Sequence, residues 1–319
     1  MAAEGVREDV AVGLLQREDV EEAEQIFRVA FGTFLGIPDP QDFHTGVSFV
    51  RTRYEKDPKA AYSAKIGTQL LGTNFATNWG SVGFFGPLTI YPEYWDRGVG
   101  KRLIEPIMQL FEEWDTRHAG LFTFAQSPKH LGLYQHFGFL PRYLTALMGR
   151  IVNGGSLHRY QLFSKLTSQQ QTECMQACFE LTNELYDGLD VSRDIEAVQE
   201  QNLGDTVLLW DDSKLGAFAV CHCGEETEAG PDTCYVKFAA VRSDGSASDE
   251  FVQLVSACDA FASDRGLKVL LAGVNTARTE AYQEMSRIGF RTQSQGVAMH
   301  KAEDEGYSRT GVFVLDDWR

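Results

Sequence analysis

The stretch Leu88-Thr-Ile-Tyr-Pro-Glu-Tyr-Trp-Asp-Arg-Gly-Val-Gly-Lys-Arg-Leu103 decides how this 319-residue chain is read. A strand-like run, Val82–Tyr91, ends at Pro92, and a short loop then holds Arg97, Gly98 and Gly100. The spacing of Leu103, Ile107, Leu110, Phe111 and Trp114 predicts an amphipathic helix over Gly100–Arg117, with Pro106 inside it at a cost of ~3 kcal/mol or a kink. Glycines allow a backbone to approach a ligand closely. The first amides of a helix lack partners and lie at the positive end of its dipole. Together these parts form an anion cradle, most naturally for phosphate, with Arg97, Lys101 and Arg102 beside it. Two common phosphate devices are excluded. A Walker A loop would need Gly where Trp95 stands and Ser or Thr where Arg102 stands, and a dinucleotide fingerprint would need Gly in place of Leu103.

Upstream, Val10–Leu15 reads as a strand, Arg17–Phe31 as a helix capped by Asp19, residues 32–42 as a loop and 43–56 as a further helix. Ala60–Ile66 and Gln69–Thr77 read as strands. Downstream come a buried strand at Leu121–Ala125, a short helix at Pro128–Phe137 and a strand at Arg142–Ile151. Gly154-Gly155-Ser156 reads as a linker between a first domain over 1–152 and a second over 153–319.

The second half repeats this order. Helices are expected at Ser168–Tyr186, Asp249–Ser263 and Thr276–Arg287, and strands at Thr206–Trp210, Ala217–Cys223, Tyr235–Val241, Val269–Val274 and Gln293–His300. Glu225–Pro231 reads as a polar surface loop. Phe139 follows Gly138 as Phe290 follows Gly289, 151 residues later. Two copies of one α+β unit are the economical reading, each a mostly antiparallel sheet flanked by helices.

Composition narrows the class. With 43% apolar residues and 23% charged, the chain is neither fibrous nor wholly disordered. Its apolar runs fall short of the ~20 residues that span a bilayer, and Met1–Asp9 lacks the apolar core of a secretory signal, so a cytoplasmic protein is expected. Residues 1–150 hold 18 acidic and 15 basic side chains, a net −3, whereas 151–319 hold 27 and 14, a net −13. Such a field disfavours nucleic acid and anionic membranes and would concentrate cationic ligands at a cleft. All six cysteines lie in the second half. Cys174, Cys178 and Cys258 fall on apolar helix faces, and Cys221-His222-Cys223 with Cys234 lacks the usual zinc spacing, so reduced thiols and no metal are expected.

The strand, loop and helix around Pro92 resemble those of the GNAT superfamily of acyl-CoA-dependent N-acyltransferases. Its phosphate loop has the form Gln/Arg-x-x-Gly-x-Gly/Ala after a strand ending apolar-x-Pro; Ile90-Tyr91-Pro92 and Arg97-Gly98-Val99-Gly100 fit. The family's later Tyr helix and Gly-Phe pair are matched by Tyr134 and Gly138-Phe139. Trp95 stands where the family has Gln or Arg, and Ser127 where an Asn often begins the short helix. The second copy lacks the glycine loop, carries Asp244 and Asp249 in its place, and has Met285 where the first has Tyr134. The resemblance thus implies a tandem chain with one working and one degenerate copy.

It also implies a mechanism. The pyrophosphate of acetyl-CoA would rest on Trp95, Asp96, Arg97, Gly98, Val99, Gly100 and Lys101, with Trp95 giving its backbone amide and Ser127 a hydrogen bond. The pantetheine arm would pair with the strand ending at Ile90 and Tyr91. An uncharged amine would attack the thioester, and Tyr134 would protonate the departing thiolate. No acidic residue occurs in Val82–Tyr91 or Leu121–Gln126, so no base is named; His44, His130 and His136 are available by type. Phe31, Phe34, Phe43, Phe49, Phe84 and Phe85 are candidates for the acceptor wall. The acceptor is expected to be a small-molecule amine, with the acidic second half favouring a cationic one. Isolated residues 1–155 would bind CoA if they stayed soluble, and 156–319 would not. The rival reading is a non-catalytic acyl-CoA-binding sensor or interaction module.

Overall fold

The structure, a computed structural model, describes residues 10–154, 160–212, 214–243 and 245–319. Gly155 and Ser156 of the expected linker, Asp244 and the N-terminal nine residues lie outside the described residues. The first half runs β1 (Val10–Leu14), α1 (Val20–Phe34), α2 (Val50–Lys56), β2 (Ala61–Ile66), β3 (Gln69–Trp79), β4 (Val82–Phe85), β5 (Thr89–Ile90), α3 (Val99–Glu113), β6 (His118–Thr123), α4 (Pro128–Gln135) and β7 (Leu140–Ile151). The second runs β8 (Gln161–Leu162), α5 (Ser168–Leu185), α6 (Ser192–Glu200), β9 (Gly204–Asp211), β10 (Lys214–Gly224), β11 (Gly230–Val241), α7 (Ala247–Asp264), β12 (Val269–Asn275), α8 (Thr279–Arg287), β13 (Arg291–His300) and β14 (Val314–Leu315). The mixed α and β content and the repeated element order follow the sequence reading.

Local chemistry accounts for most departures. Asp19 makes no cap bond; its carboxylate binds Lys65 at 2.6 Å instead. The helix expected over 43–56 is confined to α2, because the segment before it bridges to the second half at Val47↔Thr227. The run Val82–Tyr91 is interrupted between Phe85 and Thr89, so it forms two strands, β4 and β5, which both pair with β3, and only β4 also pairs with β6. Pro106 does sit inside α3, where it takes away the helical donor to the Arg102 carbonyl, and the buried Asn74 amide donates to the adjacent Leu103 carbonyl at 3.1 Å. Glu225–Pro231 is not wholly a surface loop, since Thr227 and Glu228 are buried.

The strands form one fourteen-stranded sheet in the order β1-β2-β3-β4-β6-β13-β7-β12-β11-β10-β9-β8, with β5 beside β3 and β14 beside β11. Only β4–β6 and β11–β12 pair in parallel among these strands. The middle of the order is an exchange. β13, from the second half, inserts between β6 and β7 of the first, pairing Val297↔Thr123 and Gly296↔Thr145. In turn β7 lies between β13 and β12, pairing Met148↔Ala272. Each half therefore lends one strand, β7 or β13, to the other half's part of the sheet. Residues 1–155 contain β6 and β7 but not β13, the strand between them.

The halves also share a core. Trp79, Val82 and Phe84 pack in one cluster with Leu181, Leu189, Phe218 and Phe238. The Trp79 indole N–H donates to Asp194 at 2.5 Å, and Asp194 also pairs with Lys56 at 2.9 Å. A buried triad, Arg53–Glu228–Lys237, crosses the same boundary at 3.0 and 2.5 Å. The two cations hold the Glu228 carboxyl well below its usual range despite burial, which acts in the opposite sense. Among the described residues no helix is long and apolar enough to cross a membrane.

Candidate active site

Parallel pairing of β4 with β6 begins at Val82↔His118 and stops at Phe85↔Leu121. Beyond it β5 stays beside β3, the partner it shares with β4, and Gly72 faces Ile90, while β6 continues along β13. The two strands part like the limbs of a V. The gap is a cleft of about 430 Å³ lined by Leu88–Ile90 on one side, Phe124, Leu133 and Tyr134 on the other, and the start of α3 at one end.

The Tyr91 amide donates to the Leu71 carbonyl at 2.9 Å, so the alternate residue Ile90 turns its backbone groups toward the cleft. The Trp95 indole N–H donates to the Ile90 carbonyl at 2.8 Å. This corrects two expectations at once. Part of the strand edge offered to a pantetheine arm is already covered by an indole. In addition, the Trp95 amide donates to the Pro92 carbonyl at 3.1 Å, closing a turn, and is not free for a phosphate. The role inferred for that backbone therefore fails, although the Trp95 ring does line the cleft.

The cradle itself forms one turn later. Asp96 (φ 62°) and Gly98 (φ 80°) both take left-handed backbone angles and swing the chain into α3, with Gly98 as its N-cap. The first helical bond runs from the Arg102 amide to the Gly98 carbonyl at 3.4 Å, so Val99, Gly100 and Lys101 present amides without helical acceptors. Gly98, Val99, Gly100 and Lys101 all line the cleft. A Cβ at Gly100 would meet Ile90 and Leu133 at 3.4 and 3.5 Å, so a larger side chain there would close the floor. The Asp96 carboxylate pairs with Lys129 at 2.9 Å, which offsets its repulsion of an anion. Lys129 also lies 5.2 Å over the Trp95 ring, and Arg97 stacks on Tyr94. Arg97, Tyr91 and Ser127 are outside the cleft lining. The buried Ser127 hydroxyl instead accepts from the His130 amide at 3.4 Å and caps α4.

Tyr134 sits on α4 with its ring edge-on to Phe85 at 5.7 Å and its hydroxyl near the Thr123 side chain, between the parting strands. Burial pushes its phenol pKa upward more strongly than Thr123 lowers it, so the group stays protonated. Phe31 and Phe34 of α1 reach the cleft, whereas Phe43 and Phe49 pack behind α1 and Phe84 and Phe85 lie in the sheet core. Phe124 was missed from sequence, and His130 was named there only as a base available by type. Phe124 and His130 complete a wall with Phe34, with ring centroids 4.8 Å from Phe34 in each case. His130 is one helical turn before Tyr134, and that spacing was the available signal. Burial lowers its pKa and favours the neutral imidazole. His44 is held neutral by burial and the nearby Arg319, its pKa falling to about 4, and His136 is outside the cleft.

The corresponding gap in the second half is filled. β11 and β12 pair in parallel up to Val236↔Ala272; beyond that point β14 pairs with β11 at Ala239↔Leu315. Arg278, just before α8, fastens this strand through the Val314 carbonyl at 2.8 Å and Asp316 at 3.0 Å. Asp249 and Glu250 occupy the first turn of α7, and Met285 is buried on α8. Among the described residues no group of His, Cys, Asp and Glu is arranged to hold a metal.

Known proteins extend this geometry. Residues 21–139 match a family model described as Acetyltransferase (GNAT) family. No curated protein matches the chain in sequence. A Pyrococcus horikoshii protein whose acetyltransferase assignment is itself provisional is 13% identical, covering 96% of this chain and 94% of its own, with a TM-score of 0.68. A GCN5-related N-acetyltransferase from Sphaerobacter thermophilus, also 13% identical, covers 92% and 96% at a TM-score of 0.60. A tandem GNAT protein from the clavulanic acid biosynthesis pathway is 11% identical and covers 91% and 98% at 0.56. At these identities the likeness is one of fold, and it extends over both halves.

Proposed function

Because residues 21–139 match the GNAT acetyltransferase family model, we propose that the chain is an N-acetyltransferase moving an acetyl group from acetyl-CoA to a small-molecule amine in the cytoplasm. One observation carries the reading: the unpartnered first amides of α3 and the protonated Tyr134 open onto the same cleft. The lining fits the ligand in kind, with amides and Lys101 for a diphosphate and Leu88, Ile90 and Leu133 for an apolar arm. Bound acetyl-CoA would supply the activated carbonyl. Val99, Gly100 and Lys101 would fix its diphosphate, and Ile90 would offer its amide, but not its Trp95-bound carbonyl, to the arm.

Tyr134 retains its proton in the resting site and donates it to sulfur as negative charge develops there on thioester cleavage. Phe31, Phe34 and Phe124 keep water from the acceptor end. Asp96 is the one carboxylate in the described lining and is already paired with Lys129, so the amine reacts uncharged and its proton leaves through solvent. The second half, its gap filled by β14, supports the first and performs no transfer. Titration with CoA, followed by thiol release from acetyl-CoA over a panel of amines, tests the proposal. Saturable CoA binding with amine-dependent release is expected, and binding without release from any amine would sink the enzymatic part. The sensor reading draws on Trp95, whose amide and indole occupy contacts a cofactor would use, and it predicts that second result.

A further inference from the structure

The second half contains a line of sulfurs for which acyl transfer has no use. Cys223 on β10 and Cys234 on β11 are direct partners across an antiparallel pair, with their Sγ atoms 3.8 Å apart. Cys221 lies next to Cys234, and Cys258 of α7 lies next to Cys221. Cys221, Cys234 and Cys258 are buried, and Cys223 alone of the four is partly exposed. The backbone places the outer pair well for a bond. The Cys223 amide donates to Leu203 at 2.7 Å, away from β11, so Cys223 and Cys234 occupy a site without mutual ladder bonds. At such sites Cα atoms lie about 4.5 Å apart, inside the range a disulfide spans.

We propose that Cys223 and Cys234 are an oxidation site, at which a peroxide converts the two thiols into a cross-strand disulfide. Cys223, reachable from solvent, attacks the peroxide; its S–O bond forms as the O–O bond breaks, giving a sulfenic acid and releasing an alcohol or water. The Cys234 sulfur then attacks the Cys223 sulfur. The S–S bond forms, hydroxide departs, and the proton lost by Cys234 turns it into water. Two thiols are oxidised by two electrons and one peroxide is reduced. The hydrogen bond to Cys234 and burial raise the Cys223 pKa, so loss of its proton to solvent limits the first step. The bonds from Cys221 and Cys223 and the nearby Arg265 instead lower the Cys234 pKa against burial and favour the thiolate of the second.

The bond would close the base of the hairpin 224–233. The tip of that hairpin docks the first half: the Ser48 amide donates to Thr227 at 3.0 Å, the Glu226 amide to Gly46 at 2.8 Å, and Arg51 binds Glu226 at 2.7 Å. The modification would therefore stiffen the support of the loop leading into α2.

The test uses the full chain treated with hydrogen peroxide, then alkylated and weighed intact. Two of the six thiols should escape alkylation, with the mass of two hydrogens lost. Cleavage after Lys and Glu separates Cys234 from the segment carrying Cys221 and Cys223, and fragment-ion sequencing then assigns the bonded sulfur. The link should survive in Cys221→Ala and disappear in Cys223→Ser, while hydrogen exchange over 224–233 slows in the oxidised wild type. Retention of all six thiols, a link at Cys174–Cys178 or Cys221–Cys258, or oxidation stopping at a sulfinic acid would overturn the proposal. Because sulfur assignment on the wild type needs no variant, poor folding of a mutant leaves the test intact.

Discussion

Replacing Tyr134 by Phe removes a single oxygen from the proposed reaction centre. The ring keeps its edge-on contact with Phe85 at 5.7 Å and its place in the core between α4, β6 and β13. The lost interaction is the polar contact of the hydroxyl with Thr123, worth at most about 1 kcal/mol. For a chain of this size that corresponds to a fall in Tm of roughly 2–4 °C, so the variant should fold. The α3 amides and Lys101 are untouched, and CoA affinity should stay within about twofold. The effect should fall on turnover, because removal of a general acid typically costs about 10²–10⁴-fold. The assay is thiol release with saturating acetyl-CoA and any amine that reacts with the wild type, beside calorimetric CoA binding. Unchanged turnover would reject Tyr134 as the acid. A loss in CoA affinity matching the loss in rate would make it a binding residue instead.

Four further outcomes follow from the packing. Glu228→Ala strands Arg53 and Lys237 without their buried anion and should cost ~3–5 kcal/mol, read by chemical denaturation; a change below ~1 kcal/mol would show the triad to be inessential. Gly120→Ala would place a methyl 2.3 Å from the Trp318 ring and should destabilise by at least ~1–3 kcal/mol, whereas an unaltered melt would mean that Trp318 moves freely. Burial lowers the pKa of both His118 and His222 from 6.5 to about 4, so the unfolded chain binds protons that the folded chain refuses; stability should be level above pH 6.5 and decline as pH falls toward 4, in calorimetric melts whose flatness over that window would contradict the assignment. Residues 1–155 and 156–319 expressed apart should each be insoluble or aggregated but recover when co-expressed, and a soluble, CoA-binding first fragment would show that β13 is dispensable.

The strand, glycine loop and helix around Pro92 were legible because their signals are local: a proline stop, left-handed glycine at 98 and apolar spacing through Phe111. Tyr134 and Gly138 were legible for the same reason. What escaped is set by partners distant in sequence. Nothing local in Trp95 announces that its indole will take the Ile90 carbonyl while its amide closes a turn. Val314–Leu315 gives no sign that it will seal a gap beside β11, and α6, short and with few apolar positions, was overlooked. Strand partners were the least readable feature. Leu140–Ile151 and Arg291–His300 have the pattern of any strand, and their crossing into opposite halves is decided by register over the whole sheet.

That crossing bears on how such a molecule can change over time. A duplicated unit ordinarily leaves a spare that can decay or be discarded without harm. Here the spare supplies a plank in the floor of the original and receives one back, so deleting it would leave the survivor with two raw strand borders where hydrogen bonds had been. Selection could therefore alter the chemistry of the second unit only while keeping its shape under guard.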